Sequence, residues 1–143
     1  MFIGEYQYSV DQKGRVAIPA KFRATLKKGA VVTRGLDKCL FLYPKKDWEE
    51  LAGKLSALPI SQKDARAFAR LMLAGAMDAD LDKQGRINLP VYLRKYASVK
   101  SSVVVAGLYN RLEIWDSKEW ESYKNNAEKE SSDIAEHLGN LGV

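Results

Sequence analysis

The chain repeats itself, and that repetition limits its architecture more than any other feature of its 143 residues. Residues 11–23 read D-Q-K-G-R-V-A-I-P-A-K-F-R, and residues 82–94 read D-K-Q-G-R-I-N-L-P-V-Y-L-R. Asp, Gly, Arg, Pro and a final Arg recur at a constant offset of 71, and Val16, Ile18 and Phe22 return as Ile87, Leu89 and Leu93. After a one-residue insertion the likeness continues at offset 72. Val31-Val32 answers Val103-Val104, Gly35-Leu36 answers Gly107-Leu108, and Leu40, Leu42 and Trp48 answer Leu112, Ile114 and Trp120. This order predicts a first module over 1–58, a connecting helix over 59–77, a second module over 78–125 and a polar, loosely held tail over 126–143.

Within each module the pattern is mainly β. Tyr6, Tyr8 and Val10 alternate with polar residues, as do Val16 and Ile18. Ala30–Thr33 and Cys39–Tyr43 are β-branched or aromatic runs, and the second copy offers Ala79–Leu81, Ile87–Leu89, Ser102–Ala106 and Arg111–Trp115. Pro19 and Pro90 suit the first turn of a short helix. Trp48, Leu51, Leu55 and Leu58 form one helical stripe. Asp116 with Glu119 resembles a helix cap, and Ser61 with Asp64 another, opening a helix to about Met77 that carries Phe68, Leu71 and Met72 on one side. A sheet of a few short strands exposes its edges and one apolar face, so two copies in one chain are expected to pair and bury each other. The expected fold class is mainly β with helices (α+β): one intertwined, pseudo-twofold, barrel-like body.

Composition narrows the chemistry. Cys39 is the only cysteine and His137 the only histidine, so no intramolecular disulfide and no ordinary zinc site can form. Cys39 lies in an apolar run and is expected to be a buried small hydrophobe. No metal cluster, phosphate-cradling Gly loop or Cys/His or Ser/His pair marks an enzyme, and no cofactor or small-molecule ligand is expected. No apolar run approaches ~18 residues, so neither a signal peptide nor a membrane span is expected, and a reducing cytoplasm fits.

The turns Asp11-Gln12-Lys13-Gly14-Arg15 and Asp82-Lys83-Gln84-Gly85-Arg86 carry the informative chemistry. Asp at the head of a turn accepts backbone N–H groups ahead of it. Gly in fourth place permits a positive φ. Arg then opens a strand and offers a planar fork of donors that suits phosphate or the guanine edge. Two readings of one such motif stand open: a local Asp–Arg pair in a hairpin, or an anion-binding loop. Local charge bears on the choice. From Asp11 to Lys28 six basic residues, Lys21 and Arg23 among them, face one acid. The second copy has Lys83, Arg86, Arg94 and Lys95 against Asp82, whereas residues 116–136 hold seven acids and three lysines. Such segregation favours a polyanion-binding face, with a net charge of +5 behind it. An RNA-binding or antitoxin-like module, or a ring-forming scaffold for acidic protein partners, are the competing classes.

The opening M-F-I-G-E-Y-Q-Y-S-V-D-Q-K-G-R-V-A-I-P-A-K-F-R, with the second D-x-x-G-R, Pro90 and Arg94, resembles the MraZ family of bacterial regulators over Met1 to about Tyr123. More broadly the chain is similar to AbrB-like swapped-hairpin DNA-binding proteins, two copies per chain. The resemblance implies a DNA-binding regulator, usually a repressor, acting on direct repeats in the promoter ahead of its own gene and the division and cell-wall gene cluster. It implies ring-shaped homo-oligomers on double-stranded DNA in the cytoplasm, at the nucleoid. It also implies that Asp11 with Arg15 and Asp82 with Arg86 contact DNA. The duplicated turns and the local basic excess add Lys13, Gly14, Lys83 and Gly85 to that expected site, with Lys21, Arg23, Arg94 and Lys95 as supporting basic surface. Two departures between the copies, Lys83-Gln84 for Gln12-Lys13 and Asn88 for Ala17, imply unequal contributions.

Overall fold

The computed structural model describes residues 1–143. The first half runs β1 (Phe2–Ser9), β2 (Arg15–Ala17), α1 (Ala20–Leu26), β3 (Ala30–Arg34), β4 (Leu40–Pro44) and α2 (Lys45–Ser56). A connector follows: α3 (Lys63–Ala69) running on into a π-helical turn, Arg70–Ala74. The second half runs β5 (Met77–Asp78), β6 (Arg86–Asn88), α4 (Val91–Tyr96), β7 (Ser102–Tyr109), β8 (Leu112–Asp116), α5 (Ser117–Lys129) and α6 (Ser131–His137).

The strands pair across the repeat. A six-stranded antiparallel sheet has the order β1-β7-β8-β4-β3-β5, and β2 pairs with β6 in a separate ribbon. The first strand of each half therefore lies on the third strand of the other: β1 on β7 from Phe2↔Tyr109 to Ser9↔Ser102, and β5 on β3 at Val31↔Asp78 and Val32↔Met77. The two hairpins β3–β4 and β7–β8 meet at the centre through Leu40↔Ile114 and Leu42↔Leu112.

Alternation along β4 and β8 explains the two cores. Leu40, Leu42, Leu112 and Ile114 point to one face and join Val16, Ile18, Phe22, Leu26, Ile87, Leu89 and Leu93 from the ribbon and helices α1 and α4. Phe41, Tyr43 and Trp115 point to the other face and pack on Leu55 of α2, on Met72, and on the half-buried Trp48 and Trp120. Cys39 is fully buried in this second cluster, and burial pushes its thiol pKa upward.

The body is intertwined, but it is not a barrel. The sheet stays open at β1 and β5, because β5 is only two residues long and the edges never meet. The β2–β6 ribbon, with α1 and α4, covers the apolar face that closure would have buried. Other expectations also shift. The strand expected over Ala79–Leu81 pairs two residues earlier. Ala79 is buried and its N–H still donates to Ala30 O (2.9 Å), after which the chain leaves the sheet for the ribbon. Ser61 does not cap α3, whose N-cap position is Gln62 with no side-chain bond. Asp116 does cap α5, accepting from the N–H groups of Lys118 and Glu119. Beyond Asn125 the chain is helical, yet α6 buries nothing.

The connector is tied down at its C-terminal end. Thr33 Oγ1 donates to Met72 O (2.7 Å), Arg34 Nη1 to Leu71 O (3.1 Å), and Tyr92 Oη to Gly75 O (2.8 Å). Met72 is buried, whereas Phe68 and Leu71 remain exposed.

Candidate nucleic-acid interface

The two turns have the same geometry. In the first, Gly14 N–H donates to Asp11 O (3.0 Å), and Asp11 Oδ1 accepts from the N–H groups of Lys13 (3.0 Å) and Arg15 (2.8 Å). Asp11 Oδ2 accepts from Arg15 Nε at 2.5 Å. In the second, Gly85 N–H donates to Asp82 O (3.0 Å), and Asp82 Oδ1 accepts from Gln84 N–H and Arg86 N–H, both at 2.9 Å. Arg86 Nε donates to Asp82 Oδ2, also at 2.9 Å. The glycines have φ of +82° and +75°, the region that spares them a Cβ clash. Each Asp thus serves as turn cap and guanidinium clamp at once. Hydrogen bonds from the Arg15 backbone, joined by its side chain, hold the Asp11 carboxyl below its ordinary pKa, and the Arg86 backbone does the same for Asp82.

The clamp bears on Nε alone. The Nη edges of Arg15 and Arg86 make no hydrogen bond within the chain, so the paired donors stay available to an outside acceptor. About a third of each arginine side chain is exposed (34% and 29%), enough for contact and too little for free rotation.

The ribbon sets the two turns against each other. Its register is Arg15↔Asn88, Val16↔Ile87 and Ala17↔Arg86. Val16 and Ile87 face the core, so alternation puts Arg15, Ala17, Arg86 and Asn88 on the outer face. Arg15 and Arg86 are diagonal neighbours there, and Arg86 Nη1 lies 3.9 Å from Asp11 Oδ2. The halves also lock across the ribbon ends: Ile18 N–H donates to Gly85 O and Leu89 N–H to Gly14 O, both at 2.9 Å.

Arg23 and Arg94 join this cluster from α1 and α4. Arg23 Nε donates to Ile18 O and Arg94 Nε to Leu89 O, each at 2.9 Å. The Arg94 guanidinium lies over Gly14, and that of Arg23 over Gly85. Lys13 and Lys83 are exposed at the turns, unpaired. Lys95 is exposed beside Arg94. Lys21 stands apart, its Nζ 4.9 Å from the centroid of the Tyr6 ring. Asn88 was not among the expected site residues, although it sits exposed directly opposite Arg15. The alternation Arg86-Ile87-Asn88 was the signal that could have found it. No group of three His, Cys, Asp or Glu side chains lies within metal-binding reach of one another, and every buried side-chain polar atom has a partner.

Fold and site together define a class of protein: an internally duplicated α+β chain whose halves exchange strands and unite two Asp-x-x-Gly-Arg turns on one face. Residues 1–71 and 72–139 each match the MraZ protein family, whose description also carries the words antitoxin-like. The chain belongs to the MraZ family. Among its relatives are proteins named transcriptional regulator MraZ from Halothermothrix orenii (49% identical), Thermoanaerobacter sp. strain X514 (47%) and Natranaerobius thermophilus (49%). Each alignment covers all of this chain and all of the relative. No helix is long and apolar enough to cross a membrane.

Proposed function

We propose that this chain is a sequence-specific, double-stranded-DNA-binding transcriptional regulator, a repressor of its own promoter and of the division and cell-wall genes behind it. One observation carries the reading: two Asp-clamped arginines stand as diagonal neighbours on one exposed ribbon face, and their Nη donors make no hydrogen bond within the chain. Such a pre-set fork meets the O6 and N7 acceptors of guanine or two phosphate oxygens without first losing side-chain entropy. Around it stand six cations, Lys13, Arg15, Arg23, Lys83, Arg86 and Arg94, against Asp11 and Asp82, a local charge of +4. Asn88 adds an amide beside Arg15, a group suited to adenine, while Ala17 leaves the equivalent place beside Arg86 empty. The two halves then read unlike bases. Lys21 and Lys95 add diffuse attraction.

The exchange of first strands between halves supports an AbrB-like swapped-hairpin arrangement, with modules over 1–58 and 78–125, the connector over 59–77 and the tail over 126–143. Self-association into a ring on the nucleoid, in the cytoplasm, fits the two unlike sheet edges. The β1 edge exposes Ile3, with Tyr109 of β7 exposed next to its start, and the β5 edge exposes Met77, while the connector exposes Phe68 and Leu71. Unlike edges favour head-to-tail contact, which generates a ring where the rotation between neighbours closes. Several sites in one ring would bind direct repeats by multivalency.

Footprinting on the DNA upstream of the chain's own gene tests the function. Protection of repeats at fixed spacing is expected, and protection of one isolated box as strong as that of the array would reject multivalent binding. Absence of any protection there would reject the assignment.

A further inference from the structure

We infer that Arg23 and Arg94 are positioning residues, each setting from its own half the DNA-reading turn of the other half. The inference rests on the proposed DNA-binding role of the turns. Sequence repetition shows only that an arginine recurs four residues after each proline. The structure shows where each one goes. Arg23 Nε is tied to Ile18 O, which fixes the guanidinium at the end of β2. At that end the antiparallel ribbon brings not the first turn but the second, through Ile18 N–H to Gly85 O at 2.9 Å. Gly85, lacking a Cβ, offers a flat seat, and the Arg23 guanidinium fills it. The mirror arrangement holds at the other end: Arg94 Nε to Leu89 O, Leu89 N–H to Gly14 O, and the Arg94 guanidinium over Gly14, 2.7 Å from where a Cβ would stand.

Two alternatives meet the same geometry differently. A plain phosphate contact would need only a cation there. A plain core residue would support its own half. Neither explains why a guanidinium, held by its own Nε–H, packs on the glycine of the opposite half at both ends of the ribbon. Its shape holds the backbone of the turn while Asp holds the turn's own arginine. Lysine retains the charge but has neither the Nε–H nor the flat face.

The test compares Arg23→Ala, Arg23→Lys, Arg94→Ala and Arg94→Lys in the full chain, with two readouts. The first is amide hydrogen exchange without DNA. Arg23→Ala is expected to speed exchange about tenfold over Asp82–Arg86 while leaving Asp11–Arg15 unchanged, and Arg94→Ala to do the reverse. The second is affinity for the upstream DNA at several salt concentrations. The Ala and Lys variants at each position are expected to lose about tenfold alike, with the slope of log affinity on log salt changed by much less than the roughly 0.9 that one lost phosphate contact removes. Wild-type affinity in the Lys variants, or an Ala slope lowered by about 0.9, would make these arginines phosphate contacts and overturn the inference. Faster exchange only in the variant's own turn would overturn it too. Should the wild-type chain fail to bind that DNA, the proposed function falls, and the exchange pattern alone still decides whether the turns are set across the halves.

Discussion

Gly14 occupies a position that no other residue fills well. Its φ is +82°, its N–H closes the Asp11 turn, and a Cβ would meet both Arg94 and the carbonyl of Leu89, 2.8 Å away. Gly14→Ala combines left-handed strain with a clash, and is expected to cost about 1–3 kcal/mol, read as a lowered midpoint in chemical denaturation. The requirement for Gly was legible, since Asp, Gly and Arg at fixed spacing define the turn by local chemistry. The guanidinium above it was not, because a contact between halves is fixed by strand exchange and leaves no trace in local spacing. Acid should act on the same residues. Asp11 and Asp82 are held below the ordinary value of 3.8, so their support of the turns is complete above that value and is lost as pH falls through the lowered folded values. NMR titration of the two carboxyls should therefore give midpoints below 3.8, with no transition between pH 5 and 8. A midpoint at or above the ordinary value would show that the clamp is absent in solution.

At the scale of the element, the β2–β6 ribbon has three residues a side, too short to persist alone. It is held by Val16 and Ile87, directly paired and almost completely buried against both hairpins. Ile87→Ala is expected to cost about 2–5 kcal/mol, and to weaken DNA binding only as far as the folded fraction falls. Denaturation and binding measured on the same samples would separate the two effects. Alternation made the ribbon and the central strands readable in sequence. It misled at Ala79–Leu81, where apolar residues serve burial in a chain already leaving the sheet. Cap spacing misled at Ser61, because Ser61 and Asp64 are spaced like a cap while Gln62 takes the position. Local rules name what a segment prefers, and tertiary contacts decide which preference is used.

At the scale of the molecule, exchange makes each half incomplete. β1 completes the second half's sheet, β5 extends the first half's, and the ribbon takes one strand from each. Residues 1–71 and 72–139 expressed apart are expected to remain largely unfolded and to regain native circular dichroism when mixed. Independent folding of either piece would contradict the intertwined account. Duplication made the intertwining legible, but not the open sheet, because closure depends on strand length and the shortness of β5 has no mark in its sequence. In the proposed function, two Asp-clamped arginines from different halves read DNA as one unit. Fluorescence anisotropy of labelled upstream DNA with the Arg15→Ala/Arg86→Ala double variant tests it most directly. The account predicts loss of specific binding with thermal unfolding and oligomer size unchanged. Wild-type affinity from a folded double variant would contradict it.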